Sequence, residues 1–483
     1  MAESPRMPKT IANDADAQFA LARSLWEQSD IVRSEAILRD LVARDPARED
    51  ATMLLAKLLQ SRACLDAACA LIFDLCRIHG FAPELSLRGA SFIQQSDRHA
   101  MADELCAATM ARHPVPAAFL AFAGHIKREL GDFAGARVLY LAAIEVNVDL
   151  NAAFVLGALA HTQRYENASH PDFARFLAHF SNAQLSARAR AATGFGLAKA
   201  YDDIGDYASA ARVLHTANAL VRAEQTWSTA AWNDFVARRK HERVARIRNA
   251  TADFVPVFVL GLPRTGTTLT ATHLAGHARA RDRGELRILR FIAQQLIDGN
   301  HLNDASAIEE AATLYCMHAR QDDAPATWYI DQDPLNFRYL HIIAAMFPQA
   351  RIILCQRERR DTALSLWSQD FAHHDCAFAY DLADIADYAA GHDALVEHWR
   401  QTLPLPIHMT RYEDLVADPQ RTLATLREFA GMPQADATTR DAATPINSSS
   451  VWQARQPIYT RSVGRWRAYA PFIPELMQFP AAQ

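Results

Sequence analysis

The chain has 483 residues, half of them hydrophobic, and a net charge of −5, enough material for two or three packed domains. That balance excludes the strongly basic footprint of a dedicated nucleic-acid or anionic-membrane binder, while leaving room for a local basic cleft. The seven cysteines are odd in number and lack CxxC spacing, so disulfide and zinc frameworks are disfavoured and a reducing cytoplasm is the expected compartment.

In chain order, MAESPRMPKTIANDADAQ lacks the apolar core and small-residue cleavage site of a signal peptide, and residues 1–15 are expected to be flexible. No apolar run approaches the roughly 18 residues that span a bilayer. Residues 16–230 are rich in Ala, Leu and Arg and carry helix-period apolar patterns. Cys64, Cys69 and Cys76 fall within that pattern and read as small buried hydrophobes. Turn signals recur at Ser29-Asp30, Arg62 to Leu65, Ser96-Asp97 and Gly131-Asp132-Phe133. GDFAGARVLYLAAIEVN (131–147) and GDYASAARVLHTANAL (205–220) each set Gly-Asp-aromatic at a turn, then a small Ala136 or Ala210 where two helices approach. Asp45-Pro46 and His113-Pro114 mark helix stops. The segments resemble tetratricopeptide repeats, helical hairpins of about 34 residues. That resemblance implies a solenoid able to take a peptide or protein partner.

Residues 231–250 contain DFVARRKHERVARIRN, a basic helix whose charges fit a solvated face. The style changes from 251 to 483. FVPVFVLGL (254–262), ARIIL (350–354) and Ile407 to Thr410 read as strands alternating with helices, which indicates an α/β domain with a mainly parallel sheet.

Gly261-Leu-Pro-Arg-Thr-Gly-Thr-Thr268 follows the first strand and opens a helix. Its glycines let successive N–H groups turn inward on an anion, and the helix N-terminus adds positive potential. The spacing is that of the G-x-x-x-x-G-K-S/T phosphate loop, but Thr267 stands at the lysine position and the cation is Arg264. An ordinary ATP-using phosphotransferase is therefore disfavoured. An arginine fork with Thr265, Thr267 and Thr268 around Gly266 suits a phosphate or sulfate oxyanion.

GLPRTGTTL resembles the 5′-phosphosulfate loop of sulfotransferases, notably bacterial tetratricopeptide-containing members and tyrosylprotein sulfotransferases. RIILCQRERRDTALS (351–365) resembles the family's 3′-phosphate motif, with Arg357 and Ser365 at its spacing. RYEDLVADP (411–419) resembles the segment in which Tyr412 is implied to contact adenosine. SVWQARQPIYTRSVGRW (450–466) resembles the loop that closes over the donor. From it Ser450 is implied as a catalytic group, and Arg455, Tyr459 and Arg465 as donor contacts.

The fold implied is a tetratricopeptide-like solenoid followed by a P-loop-like sulfotransferase domain. The donor implied is 3′-phosphoadenosine 5′-phosphosulfate, and the acceptor a hydroxyl on a protein, glycan or small molecule. Glu285, in Arg283-Gly-Glu-Leu-Arg-Ile-Leu289, matches the position of the general base of tyrosylprotein sulfotransferases. No metal ligand set is found; His373-His374-Asp375-Cys376 lacks useful spacing and is expected to be a mobile loop.

One position departs from the pattern. The family carries a lysine in a DK-x-P context, whereas this chain reads Asp331-Gln332-Asp333-Pro334. Gln332 can donate hydrogen bonds but supplies no charge. Two readings therefore stay open: a working sulfotransferase using Glu285, Arg264 and Gln332, or a repeat-based interaction protein with a degenerate donor-binding domain.

Overall fold

The computed structural model describes residues 14–246, 252–371, 374–433 and 460–480. The chain divides into two compact units, Met1–Phe119 with Arg320–Ala324, and Leu120–Ala319 with Pro325–Gln483.

In the first unit helices pair as hairpins: Ala15–Glu27 with Ile31–Arg44, Glu49–Ser61 with Leu65–Ile78, and Pro83–Gln95 with His99–Met110. Each turn reverses through one left-handed residue, Ser29, Ala63 or Asp97, and Gly131 continues the same 34-residue step. Buried Leu38, Leu41, Leu55, Leu58, Ile72 and Leu105 fill the interior. Cys69 and Cys76 are fully buried, as the helical pattern predicts, while Cys64 is half-exposed at the N-cap of Leu65–Ile78. Neighbouring hairpins are also stitched by side chains. His79 Nε2 donates to Ala47 O at 2.8 Å, and His113 Nε2, 34 residues on, donates to Gly80 O at 2.7 Å. Asp322 accepts from Asp66 N and Ala67 N at 2.9 and 3.0 Å, occupying the open donors of the Leu65–Ile78 helix.

The second unit continues with helices, of which Ala187–Asp203 and Tyr207–Glu224 form its longest hairpin. Ala136 and Ala210 are fully buried, as close helix approach requires. The basic segment enters the helix Thr229–His241, which stops before residues 242–246; Arg238, His241 and Arg243 are exposed as a solvated face requires, and the opposite face is buried. Trp232 is buried and stacks on Tyr388 with centroids 4.5 Å apart, beside Gly391, where a Cβ would collide with its indole. Arg239 is 6% exposed, lies 4.5 Å over Phe235 and pairs with Glu242. The alternation of charge hid an aromatic anchor.

Five strands make one parallel sheet in the order β2-β3-β1-β4-β5: β1 Val255–Gly261, β2 Ala280–Asp282, β3 Trp328–Asp331, β4 Arg351–Gln356 and β5 Ile407–Arg411. Val257, Val259, Ile330 and Ile353 are fully buried between helices, which explains their continuous apolar runs. β1 is central and the chain leaves it in both directions; Gly261 and Gln356 end close together, and Asp331 ends β3 level with Phe258, on the edge where open parallel sheets bind ligands.

Candidate active site

The turn after β1 is forced into unusual backbone. Gly261 has φ of 148°, and a Cβ there would strike Cys355 O of the adjacent strand. Gly266 has φ of 98°, and a Cβ there would lie 2.8 Å from Tyr412 Cδ2. Both positions demand glycine. Arg264 lacks that freedom yet has φ of 74°, local strain of about 1–2 kcal/mol of the kind concentrated at ligand clamps. Thr265 Oγ1 donates to Leu262 O at 2.7 Å and closes the turn. Thr265, Thr267 and Thr268 are all buried, and the last two open the helix Thr267–Leu274.

The second anion-binding candidate meets this turn. Arg264 Nε donates to Ser365 Oγ at 3.1 Å, and Arg357 Nη1 donates to Arg264 O at 3.1 Å. The Arg357 guanidinium lies 4.7 Å over the Tyr412 ring, and its Nη2 donates to Ser462 O at 2.8 Å. Arg264, Gly266, Arg357, Ser365 and Tyr412 thus form one constellation across the ends of β1, β4 and β5. Arg357 Nε is buried without a partner among the described residues, and no carboxylate pairs with this guanidinium there. Glu358 caps the helix Arg359–Trp367 by accepting from Asp361 N at 2.9 Å, and Glu413 in turn accepts from Glu358 N. The acidic residues of the RERRD turn therefore fix backbone, leaving Arg357 to the site.

On the other side of β1, Glu285 and Gln332 are neighbours. Gln332 N donates to Gly284 O at 2.9 Å, while Leu286 N reaches Asp331 Oδ1 at 3.4 Å. Gln332 is 3% exposed; its Nε2 lies 3.5 Å from Asp282 Oδ1, and its Oε1 has no partner among the described residues. Glu285 is half-buried. Asp331 also accepts from Asp333 N at 3.0 Å, Tyr315 OH at 3.1 Å and Asn336 Nδ2 at 3.1 Å. Burial, then the neighbouring Asp333, push the Asp331 carboxyl well above its ordinary range. Burial likewise raises Asp333, against the pull of Arg290, which lies 3.5 Å from it.

The expected loop at 373–376 is corrected over its described part. His374–Tyr380 forms a 3₁₀ turn in which Cys376 is buried and Asp375 pairs with Arg290. Burial pushes the Cys376 thiol up to about 12, making it an inert packing group. Among the described residues no cluster of His, Cys, Asp or Glu is placed to hold a metal ion, and no helix is long and apolar enough to cross a membrane.

Ser450, Arg455 and Tyr459 lie outside the described residues. Arg465 is engaged with Asp202, 2.8 Å from Nη2, and Tyr469 OH donates to the same carboxylate at 2.7 Å. Sequence reasoning missed three carboxylates. Asp202 ends a helix more than 260 positions before Arg465. Asp331 was read only as a flank of Gln332. Asp361, 1% exposed, accepts from Gly464 N at 2.6 Å and Trp466 N at 2.9 Å. Only for Asp331 did the sequence carry a signal, an acidic residue ending an apolar run.

Residues 256–436 match a family model described as "Sulfotransferase family". An Aquifex aeolicus (strain VF5) relative described as "Uncharacterized protein" is 30% identical over 315 residues, 60% of this chain and 41% of its own length. Protein-tyrosine sulfotransferase 1 of Danio rerio is 28% identical over 204 residues, 38% of this chain and 55% of that protein. The sulfotransferase domain from the curacin biosynthetic pathway aligns with 48% of this chain and 99% of its own at 19% identity and a TM-score of 0.29. The chain spans about half the length of the curated relatives it matches. The similarity to the sulfotransferase family therefore lies in residues 256–436.

Proposed function

We propose that the protein transfers a sulfuryl group from 3′-phosphoadenosine 5′-phosphosulfate to a hydroxyl acceptor. The observation that carries this reading is the junction of Arg264 with Ser365 and Arg357, which gives two anion-binding segments one shared surface. A nucleotide bearing phosphates at both ends needs such a pair. The unpartnered Arg357 Nε suits an oxyanion, and the Gly266–Tyr412 contact brings an aromatic face beside it.

In this reading Arg264 and the amides of 265–268 hold the 5′-phosphate, Arg357 and Ser365 hold the 3′-phosphate, and Tyr412 borders the adenosine. Glu285 takes the acceptor proton as the acceptor oxygen bonds to sulfur. The bond from sulfur to the bridging phosphate oxygen breaks, and adenosine 3′,5′-bisphosphate leaves with its electron pair. Most of the rate comes from positioning and electrostatics. Gln332 donates to the developing negative charge. Ser450 and Arg455 complete the site, and Arg465 serves through its anchor on Asp202. The 34-residue helical hairpins are tetratricopeptide-like repeats that present an acceptor or partner.

Calorimetry with adenosine 3′,5′-bisphosphate tests the donor site, and absence of binding refutes the reading. Glu285→Gln is expected to abolish label transfer from radiolabelled donor into a cell extract while leaving nucleotide affinity intact.

Gln332 favours a second reading, a domain that keeps the donor and has lost turnover to serve an interaction role. Removal of one preorganised charged donor costs on the order of 100- to 1000-fold in rate. A gain of that size in Gln332→Lys marks a degenerate enzyme, and an unchanged rate marks an adapted one.

A further inference from the structure

We infer that Asp331 is the positioning residue for Glu285, holding the base's peptide in a two-sided bracket at the end of β3. The inference rests on the proposed role of Glu285. Gly284 O, before the base, accepts from Gln332 N at 2.9 Å, and Leu286 N, after it, is met by the Asp331 carboxylate at 3.4 Å. Consecutive residues 331 and 332 therefore hold both flanks of residue 285. Gly284 has φ of 63°, so the chain turns sharply between the two jaws.

The bracket is anchored from behind. Asp331 is 1% exposed, and its two oxygens meet four donors: Leu286 N, Asp333 N, Tyr315 OH and Asn336 Nδ2. Burial raises the proton affinity of this carboxyl, and the hydrogen bonds from Asp333 N, Tyr315 OH and Leu286 N oppose that rise; toward these four donors its oxygens act as acceptors. Oδ1 takes the two backbone donors, Leu286 N and Asp333 N, and Oδ2 takes Tyr315 OH and Asn336 Nδ2, so an asparagine could keep its oxygen on Leu286 N, whereas an alanine removes both oxygens and leaves that flank unheld. Register with the sheet is kept by Phe258 of β1, which pairs with Asp331, and by Arg283 N, which donates to Ile330 O at 2.8 Å. The backbone of the base and that of Gln332 are thus fixed to the same strand end, which sets the point from which the Glu285 side chain reaches the acceptor. Misplacement of a reacting group by about 1 Å costs on the order of 100-fold in rate.

The test combines three measurements on the full chain. In the wild type, hydrogen exchange should show the Leu286 amide protected; exchange as fast as an exposed amide overturns the inference without any variant. In Asp331→Ala, protection of Leu286 should be lost while β1 amides stay protected. Label transfer from radiolabelled 3′-phosphoadenosine 5′-phosphosulfate should fall about 10- to 100-fold, with the affinity for adenosine 3′,5′-bisphosphate unchanged. Tyr315→Phe removes a different donor to the same carboxylate and serves as the packing control. It should lower the melting temperature yet keep Leu286 protected and the transfer rate near wild type. A wild-type rate in Asp331→Ala, or rate losses that track melting temperature in both variants, overturns the inference. A wild type that neither binds the bisphosphate nor transfers label defeats the functional reading instead, and the exchange data still decide the bracket.

Discussion

Arg357 donates one terminal nitrogen to Arg264 O and the other to Ser462 O. Both partners are neutral carbonyls, so its charge is met by no anion among the described residues, and leaving a guanidinium so placed is unfavourable. Arg357→Lys keeps the charge and loses the fork, and is expected to weaken adenosine 3′,5′-bisphosphate about 10- to 100-fold by calorimetry, as charge-assisted hydrogen bonds imply. A second residue-scale expectation concerns acid stability. Asp172 is 1% exposed; burial opposes its charge, but hydrogen bonds from Arg137 and Tyr165, with the charge of Arg137, outweigh burial and hold the carboxyl below its ordinary value. A depressed carboxyl contributes stability above its unfolded value and loses it as pH falls through the folded one. His161 acts in the same direction, since burial and then Lys199, Arg128 and Arg264 lower its imidazole to about 3. Its contribution is full above its unfolded value and is lost as pH falls toward 3. The melting temperature should therefore drop steadily on acidification from neutrality, and the drop should shrink in His161→Gln.

At the scale of elements, legibility followed length and local chemistry. β1 and β4 announced themselves because both faces are buried and their runs are continuously apolar. β2 and β3, of three and four residues, were missed. β3 reads Trp-Tyr-Ile-Asp, with its ladder to β1 supplying the order that so short a segment cannot specify alone. The glycine-threonine turn was legible because glycine at 261 and 266 is demanded by close approach, and the 34-residue step because each hairpin must reverse with similar geometry. The same step yields a prediction. Ala63 occupies the left-handed position with φ of 57°, where Gly131 stands in the later hairpin. Ala63→Gly relieves about 1–2 kcal/mol of backbone strain against about 0.5–1 kcal/mol of added chain entropy. Ala63 is 1% exposed, so loss of its methyl costs a further ~0.8 kcal/mol; thermal or denaturant unfolding should show little net change, whereas replacing Gly131 by Val should destabilise.

For the molecule as a whole, the second compact unit does not respect the boundary that composition suggests near residue 251. Trp232 stacks on Tyr388, Asn218 Nδ2 donates to Trp367 O at 2.9 Å, and Arg188 pairs with Asp370 at 2.7 Å. These contacts were invisible in sequence because each joins residues more than a hundred positions apart, with no local pattern at either end. A chain shortened to begin at Phe254 would expose the face that Trp232 covers and leave Arg465 without its carboxylate. It should show a weakened near-ultraviolet circular dichroism signal and bind adenosine 3′,5′-bisphosphate poorly, whereas a chain beginning at Leu120 should retain both.

The clasp formed by Asp202, Arg465 and Tyr469 also bears on how the protein is made. Ser462, which receives Arg357, sits just ahead of that clasp, and Asp361 grips the amides between them. During synthesis the glycine-threonine turn and the arginine-serine pair emerge from the ribosome well before their last support. The anion surface is therefore finished only when the segment at 460–469 folds back onto a helix translated hundreds of residues earlier. Until then a nascent chain holds an open cradle, and ligand retention should appear abruptly, late in elongation.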